Sequence, residues 1–151
     1  MRLWHQSLIR YLPGRQLLGQ HRECCALRGR GWGRRHAVVD YVFRHPYFWL
    51  CDYHLEVMSE LDRRGYMVDD KWTNDAYRGK TLGISADPCF YRDGESWLDE
   101  SYEARGYVIY PEHDDAYLLS CLNNLAGKGA ELENGQSVSK MILELASNGV
   151  T

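Results

Sequence analysis

Apolar residues recur at helical spacing along much of the chain. Between residues 15 and 27 they form one stripe at intervals of three, four and seven, which predicts an amphipathic helix. A longer stripe runs over 46–65, where Pro46 suits the start of a helix and Gly65 suits the position just after its last turn. Shorter patterns of the same kind predict further helices over 36–44, about 112–125 and 136–147.

The segments between these helices lack a regular pattern. Residues 28–36, RGRGWGRRH, combine three glycines with four arginines and predict a basic loop. Residues 66–110 are rich in glycine, aspartate and aromatic side chains and predict irregular structure. No repeat, low-complexity stretch or linker divides the chain. We therefore predict a mainly α protein, a single compact domain over 1–151 with four to five helices and long irregular connections.

Charge is divided unevenly along the sequence. The first 50 residues carry nine arginines, no lysine and two acids, hence +7, while the remainder carries −10, so the net charge of −3 conceals the division. A basic half suggests an anionic partner, and the planar guanidinium of arginine suits bidentate contacts with phosphate groups. The alternative is a basic face that packs against an acidic face within one domain.

The cysteines, the histidines and the apolar runs bear on whether the protein has disulfides, a metal site or a membrane-spanning helix. Five cysteines at irregular positions do not predict a disulfide framework, so we expect reduced thiols and a cytoplasmic protein. There is no CxxC, HExxH or HxxxH motif for a metal, and His21 and His54 fall on apolar stripes, where we expect core histidines. The first residues do not form a secretory signal, and no uncharged apolar run approaches the length of a membrane-spanning helix.

Two residues of the basic half are open to two interpretations each. Glu23 is the single acid among the first 39 residues and stands beside Arg22. Such a carboxylate either anchors a salt bridge or takes a functional role beside a bound anionic ligand. Trp32, set between two glycines of the basic loop, is either an apolar wedge into a base stack or a plain anchor of the loop.

Several segments, taken in order, resemble a known family. They are Arg2, then RQLLGQHRE at 15–23, the basic GWGRRH, the long helix ending in RRGYMV, and DDKWTNDAYRGK at 69–80. Their order and spacing resemble the phage endonuclease V family of pyrimidine-dimer DNA glycosylases with abasic-site lyase activity. The resemblance spans about 1–81 and resumes over about 109–125.

The resemblance implies a small all-helical DNA-repair enzyme that uses no metal and no cofactor. Its partner would be double-stranded DNA with a damaged base or an abasic site, and we expect it to act as a monomer. Carried over by position, the α-amine of Met1 is the nucleophile and Glu23 is the catalytic carboxylate. Arg2 and Arg22 would hold phosphates near the lesion, and Arg34, Arg35 and His36 would contact DNA farther out. Arg28 matches the family's DNA-binding residues less closely.

The implied mechanism agrees with the chemistry of an α-amine. Its reference pKa of about 7.7–8.0 leaves a useful fraction neutral near pH 7, and nearby arginines disfavour its protonation further. The amine would attack C1′ of the damaged nucleotide and displace the base, and the resulting imine would permit β-elimination of the 3′ phosphate. Two alternatives remain: the same mechanism on another lesion, or a nucleic-acid-binding protein without catalysis.

Three departures from the family pattern bear on these expectations. The bulky Arg2 should block removal of Met1, and one extra residue near Pro13 is needed before Glu23. Residues 82–108 have no counterpart and would form a partner surface, a lid or, as we favour, additional packing on the scaffold. The family's aromatic, basic carboxyl-terminal tail is replaced by MILELASNGVT, so the preferred lesion need not be a cyclobutane dimer.

Overall fold

The computed structural model describes residues 3–34, 39–91 and 100–150. Within these residues the chain is mostly helical and contains no β-strand, which confirms the mainly α fold. None of the helices described is long and apolar enough to cross a membrane. The five α-helices are α1, Gly14–Arg28; α2, Asp40–Arg44; α3, Tyr47–Arg63; α4, Asp115–Gly127; and α5, Val138–Ser147. Short 3-10 turns occupy Gln6–Leu8, Asp70–Thr73, Pro88–Phe90, Glu100–Arg105 and Glu133–Gly135.

The two longest helices, α1 and α3, pack against each other in the centre of the core. Leu17, Cys24 and Leu27 of α1 and Leu50 and Val57 of α3 are fully buried. Because they recur at intervals of three or seven, each set lies on one face of its helix. Burial of each such leucine or valine stabilises the fold by about 1.5–3 kcal/mol.

Local signals set the ends of α3. The helix begins directly after Pro46, whose fixed φ and missing N–H suit that position. It ends before Gly65, which has a φ of +87° and donates its N–H to the Asp62 carbonyl at 2.9 Å. The next N–H, that of Tyr66, donates to the Leu61 carbonyl at 2.9 Å, so the last carbonyls of the helix are satisfied. The helices predicted over 15–27 and 46–65 are confirmed.

The carboxyl-terminal third forms a second helical pair, α4 packed against α5. Asp114 caps α4 by accepting the Tyr117 N–H at 2.8 Å, and Ser137 caps α5 by accepting the Lys140 N–H at 3.3 Å. Both predicted helices are therefore confirmed. The short helix α2 occupies the second half of the predicted segment 36–44, of which residues 36–38 lie outside the described part of the chain.

Some side chains of the 82–108 segment pack on the helical scaffold, which supports the packing role that we favoured, while most of its described residues are exposed. Tyr102 is fully buried, and its hydroxyl donates to Asp52 Oδ2 on α3 at 2.8 Å. Phe90 is also buried, with its ring edge-on to that of Tyr47 at 4.6 Å between centroids. Arg105 places its guanidinium 4.8 Å from the centre of the Trp49 indole. These contacts attach the segment to α3.

One carboxyl group on α3 should make stability depend on pH near neutrality. Burial, and to a lesser degree the nearby Asp52, raises the pKa of Glu56 to about 7, although Gln6 Nε2 donates to its carboxylate at 3.0 Å and acts in the opposite direction. The folded state therefore binds more protons than the unfolded state between about pH 4.5 and 7, so this group costs stability as the pH rises through that range.

We expect Glu56→Gln to resemble the wild type near pH 4.5 and to be more stable by about 1–2 kcal/mol at pH 8, after allowance for solvent screening. Glutamine can still accept the Gln6 hydrogen bond. Denaturant unfolding of both proteins at several pH values measures the difference. A difference that does not change with pH would contradict the prediction.

Candidate active site

A chain of hydrogen bonds connects the start of the described chain to Glu23. The Trp4 N–H donates to Gln20 Oε1 at 2.7 Å, and Gln20 Nε2 donates to Glu23 Oε2 at 3.2 Å. The Tyr53 hydroxyl of α3 fixes the same segment by donating to the Trp4 carbonyl at 2.6 Å. Gln20 is only 2% exposed, so water does not compete for these bonds. The amino-terminal segment is thus held against α1 one helical turn from Glu23.

We did not predict a role for Gln20 from the sequence, although its spacing from Glu23 was a usable signal. Gln20 and Glu23 are three residues apart on α1, so their side chains are neighbours on the helix surface. A glutamine presents both a donor and an acceptor, and here it uses the acceptor for the main chain and the donor for the carboxylate. Such a bridge requires a second segment to be placed beside the helix, which the local sequence does not specify.

Exposed arginines lie along α1 and just beyond its end, and we call Arg15, Arg22 and Arg30 the arginine ridge. The spacing of seven residues puts Arg15 and Arg22 on one side of α1, about 10 Å apart at 1.5 Å per residue, and Arg30 follows in the turn after the helix. Gly19 lies between the first two, and the Arg22 side chain lies 4.0 Å from the place a Cβ would occupy there.

The ridge arginines make no ion pair with any described residue, so these three residues do not support the alternative of a basic face packed on an acidic one. The arginines at the ends of α2 and α3 differ in this respect, because each pairs with an acid of its own helix. These pairs are Arg44–Asp40 at 3.0 Å, Arg63–Glu60 at 2.6 Å and Arg64–Glu60 at 2.8 Å. The ridge is therefore a charged surface suited to an anion from outside the described chain.

Arg28, which the resemblance assigned to DNA, lies inside the protein. Its side chain is fully buried, and its guanidinium donates to Trp72 O at 2.7 Å, Asn74 O at 2.9 Å and Tyr47 Oη at 3.2 Å. A fully buried guanidinium cannot contact a phosphate group, so the DNA-binding role predicted for Arg28 is corrected to a structural one. It joins the end of α1 to the 72–77 loop, which covers it from solvent.

Two histidines and a cysteine lie together between α1 and α3. His21 Nδ1 is 2.8 Å from His54 Nε2, and Cys25 Sγ is 3.8 Å from His54 Nε2. The ligand atoms of all three residues fall within 4.8 Å of one another, so the group must be tested as a metal site. Burial lowers the pKa of both histidines, and the charge of Arg28 lowers it further, which favours neutral rings.

The hydrogen bonds around His54 do not fit metal binding. Arg28 Nη1 lies 2.9 Å from His54 Nδ1, and a guanidinium carries only donors, so Nδ1 accepts and the proton of the neutral ring resides on Nε2. That Nε2–H donates to His21 Nδ1, whereas a metal-bound histidine normally coordinates with one nitrogen and donates its other N–H to an acceptor. The histidines are satisfied core residues, as their positions on apolar stripes predict.

The basic loop places its side chains in two directions. Trp32 is half-buried and packs edge-on against Tyr47 at 4.8 Å and Phe43 at 5.7 Å between ring centroids. It anchors the loop, so its alternative role as a wedge into DNA is not supported. Arg34 is exposed two residues later. The remaining predicted site residues lie outside the described part of the chain: Met1, Arg2, Arg35 and His36.

Comparison with known protein families matches the first part of the chain. Residues 1–74 match the model of a family of DNA-repair enzymes, the DNA glycosylases. The family is described as pyrimidine dimer DNA glycosylase, and the match confirms the resemblance on which the site residues were assigned. The matched range includes Glu23, its hydrogen-bonded neighbours and the arginine ridge, and it ends before the 82–108 segment. Neither the search of curated proteins nor that of solved structures gave a match.

Proposed function

We propose that the protein is a DNA glycosylase with coupled abasic-site lyase activity, in which the α-amine of Met1 is the nucleophile and Glu23 is the catalytic carboxylate. The observation that carries the proposal is the chain of hydrogen bonds from Trp4 through Gln20 to Glu23. The Met1 nitrogen is three residues before the Trp4 nitrogen, so it lies within about 11 Å of that anchored atom. The match of residues 1–74 to the pyrimidine dimer DNA glycosylase family supports the enzyme class.

The reaction begins with the neutral amine. An α-amine has a reference pKa of about 7.7–8.0, so a fraction on the order of a tenth is neutral at pH 7 without any activation. The amine attacks C1′ of the damaged nucleotide, the C1′–N bond to the base breaks, and the base leaves with a proton. Loss of the proton from the amine and opening of the sugar ring then give an imine between Met1 and C1′.

Elimination follows from the imine. The cationic imine makes a C2′ proton acidic; its removal forms the C2′–C3′ double bond and expels the 3′ phosphate, which cleaves the strand. Glu23 stabilises the cationic sugar and imine and transfers protons as a general acid and base. Its half-buried carboxylate, held by Gln20, has the fixed orientation that such a role requires.

Arginines beside Glu23 bind the DNA backbone in this proposal. Arg22 of the ridge is exposed on α1 and is adjacent to Glu23 in sequence. Arg2, Arg34, Arg35 and His36 would extend the contacts. Charge-based binding of this kind is independent of base sequence and weakens as salt concentration rises. A second function, DNA binding without catalysis, uses the same surface but needs no amine.

The test is covalent trapping with borohydride on duplexes that contain an abasic site or a pyrimidine dimer. We expect reduction of the imine to join the DNA to the first peptide of a chain that begins at Met1, as mass spectrometry of the digest can establish. A verified uncleaved amino-terminal tag should prevent both adduct and strand cleavage, because the amine is then part of a peptide bond. Full activity of the tagged protein would refute the role of Met1. No adduct on any substrate, with binding retained, would favour the non-catalytic function.

A further inference from the structure

A basic cleft adjoins the carboxyl end of α1. It has a volume of about 640 Å³ and lies between the last turn of α1, the glycine-rich loop and the 78–82 turn. Four cationic side chains line it, and no carboxylate does: Arg30, Arg34, Arg78 and Lys80. Two other cavities among the described residues, of about 610 and 530 Å³, each include glutamates. Of these three cavities among the described residues, the basic cleft is therefore the one whose lining contains no acidic residue.

The walls of the cleft are fixed by hydrogen bonds and close contacts. Arg78 donates through Nε to the Arg28 carbonyl at 3.1 Å and through Nη2 to the Gly29 carbonyl at 2.7 Å, which ties the turn to the end of α1. Gly79 has a φ of +99° and its Cβ position lies 3.6 Å from the Trp72 indole, so only glycine fits without strain. The cleft is thus held in place on both sides by these contacts.

Three of the cations remain available to a ligand. Arg30, Arg34 and Lys80 are exposed and make no ion pair with a described residue, whereas the Arg78 donors Nε and Nη2 are used within the protein. Trp72 adds an aromatic surface, and its position is maintained by the Arg28 guanidinium 5.1 Å from its ring centre. A cluster of cations beside an aromatic wall suits the phosphate and sugar groups of a nucleic acid backbone.

We propose that this cleft binds the phosphodiester backbone of the substrate duplex on one side of the lesion, and that Arg30 and Lys80 are the main contacts. The inference rests on the proposed function, because it takes the DNA that Arg22 and Glu23 engage as its ligand. Arg30 belongs both to the cleft and to the arginine ridge, so the charged surface is continuous. Arg22 lies about 9 Å along the helix axis from Arg28, the last residue of α1, which is equivalent to about three nucleotides of one strand.

The experiment measures affinity for a duplex with a tetrahydrofuran abasic analogue, which the lyase cannot cleave, at several salt concentrations. Lys80→Gln and Arg30→Gln should each weaken binding several-fold near 0.1 M salt and lower the slope of log affinity against log salt by about 1, with a decrease of about 2 in the double variant. Lys80→Arg should restore the slope. Lys140→Gln, which removes an exposed lysine on α5, is the matched control and should change neither quantity.

A second series locates the contact along the DNA. Shortening the duplex to fewer than about three base pairs on one side of the analogue should weaken wild-type binding, and the double variant should lose much less on that side. An unchanged salt slope in the double variant, or equal losses for both proteins on both sides, would overturn the inference. Failure of borohydride trapping would instead refute the catalytic proposal, because these binding measurements require no chemistry.

Discussion

Glu23→Gln is expected to reduce strand cleavage at an abasic site by about 10²–10⁴-fold or more, the usual contribution of general acid–base catalysis. The substitution keeps the shape of the side chain and lets its oxygen accept the Gln20 Nε2–H, now 3.2 Å from Glu23 Oε2. It removes the negative charge that stabilises a cationic sugar or imine, and it removes the proton acceptor. Gel-based cleavage assays under single-turnover conditions measure the loss.

Two further measurements distinguish catalysis from a structural role for Glu23. Denaturant unfolding should show a change of less than about 1 kcal/mol, and salt-dependent binding to an uncleavable duplex should be nearly unchanged. Glu144→Gln, at an exposed position of α5, is the matched control and should leave cleavage at the wild-type level. A loss of several kcal/mol of stability with cleavage retained would show that Glu23 anchors the fold instead.

Arg28→Met is expected to cause the largest loss of stability, about 3–5 kcal/mol. Methionine fills most of the volume but leaves Trp72 O, Asn74 O and His54 Nδ1 without the guanidinium donor each now has in a buried site. Equilibrium unfolding in denaturant measures the effect. Arg30→Met, two residues later and exposed, should change the free energy of unfolding by no more than about 0.5 kcal/mol.

If Arg28→Met does not fold, the stability of Arg28→Lys can be measured instead. Lysine retains the charge but cannot reach several acceptors in fixed directions as the planar guanidinium does, so an intermediate loss is expected. An Arg28→Met protein of wild-type stability and markedly weaker DNA binding would contradict the structural role. It would restore the role that the family resemblance assigns to this residue.

Arg28 also illustrates what the sequence could not reveal. Arg22, Arg28 and Arg30 are the same residue type within nine positions of one basic segment. The periodicity predicts a helix there, but it does not show which of these arginines is buried and which is exposed. Arg28 becomes buried because the 72–77 loop, more than 40 residues later, brings its carbonyls to the guanidinium. Pairings at that separation in sequence depend on tertiary structure alone.

Helix positions could be predicted because their causes are local. The α3 helix lies between Pro46 and Gly65, and each of these residues favours a helix end through its own backbone geometry. Glu23 could likewise be singled out, because a lone acid among arginines is visible in the sequence. Its connection to Trp4 through Gln20 could not, since it depends on where the first residues meet α1.

The anchoring of the first described residues has a consequence for how such a site can change in evolution. No codon specifies a main-chain amine, so a side-chain substitution after the start codon leaves the proposed nucleophile in place. Leu3 and Trp4 are instead fixed by the Tyr117 and Tyr53 hydroxyls, so the number of residues before them limits how far the proposed nucleophile can lie from this anchor. One inserted or deleted residue ahead of them would shift the amine by up to about 3.6 Å. Selection on this catalyst would therefore act on the number of residues before Leu3 as well as on their side chains.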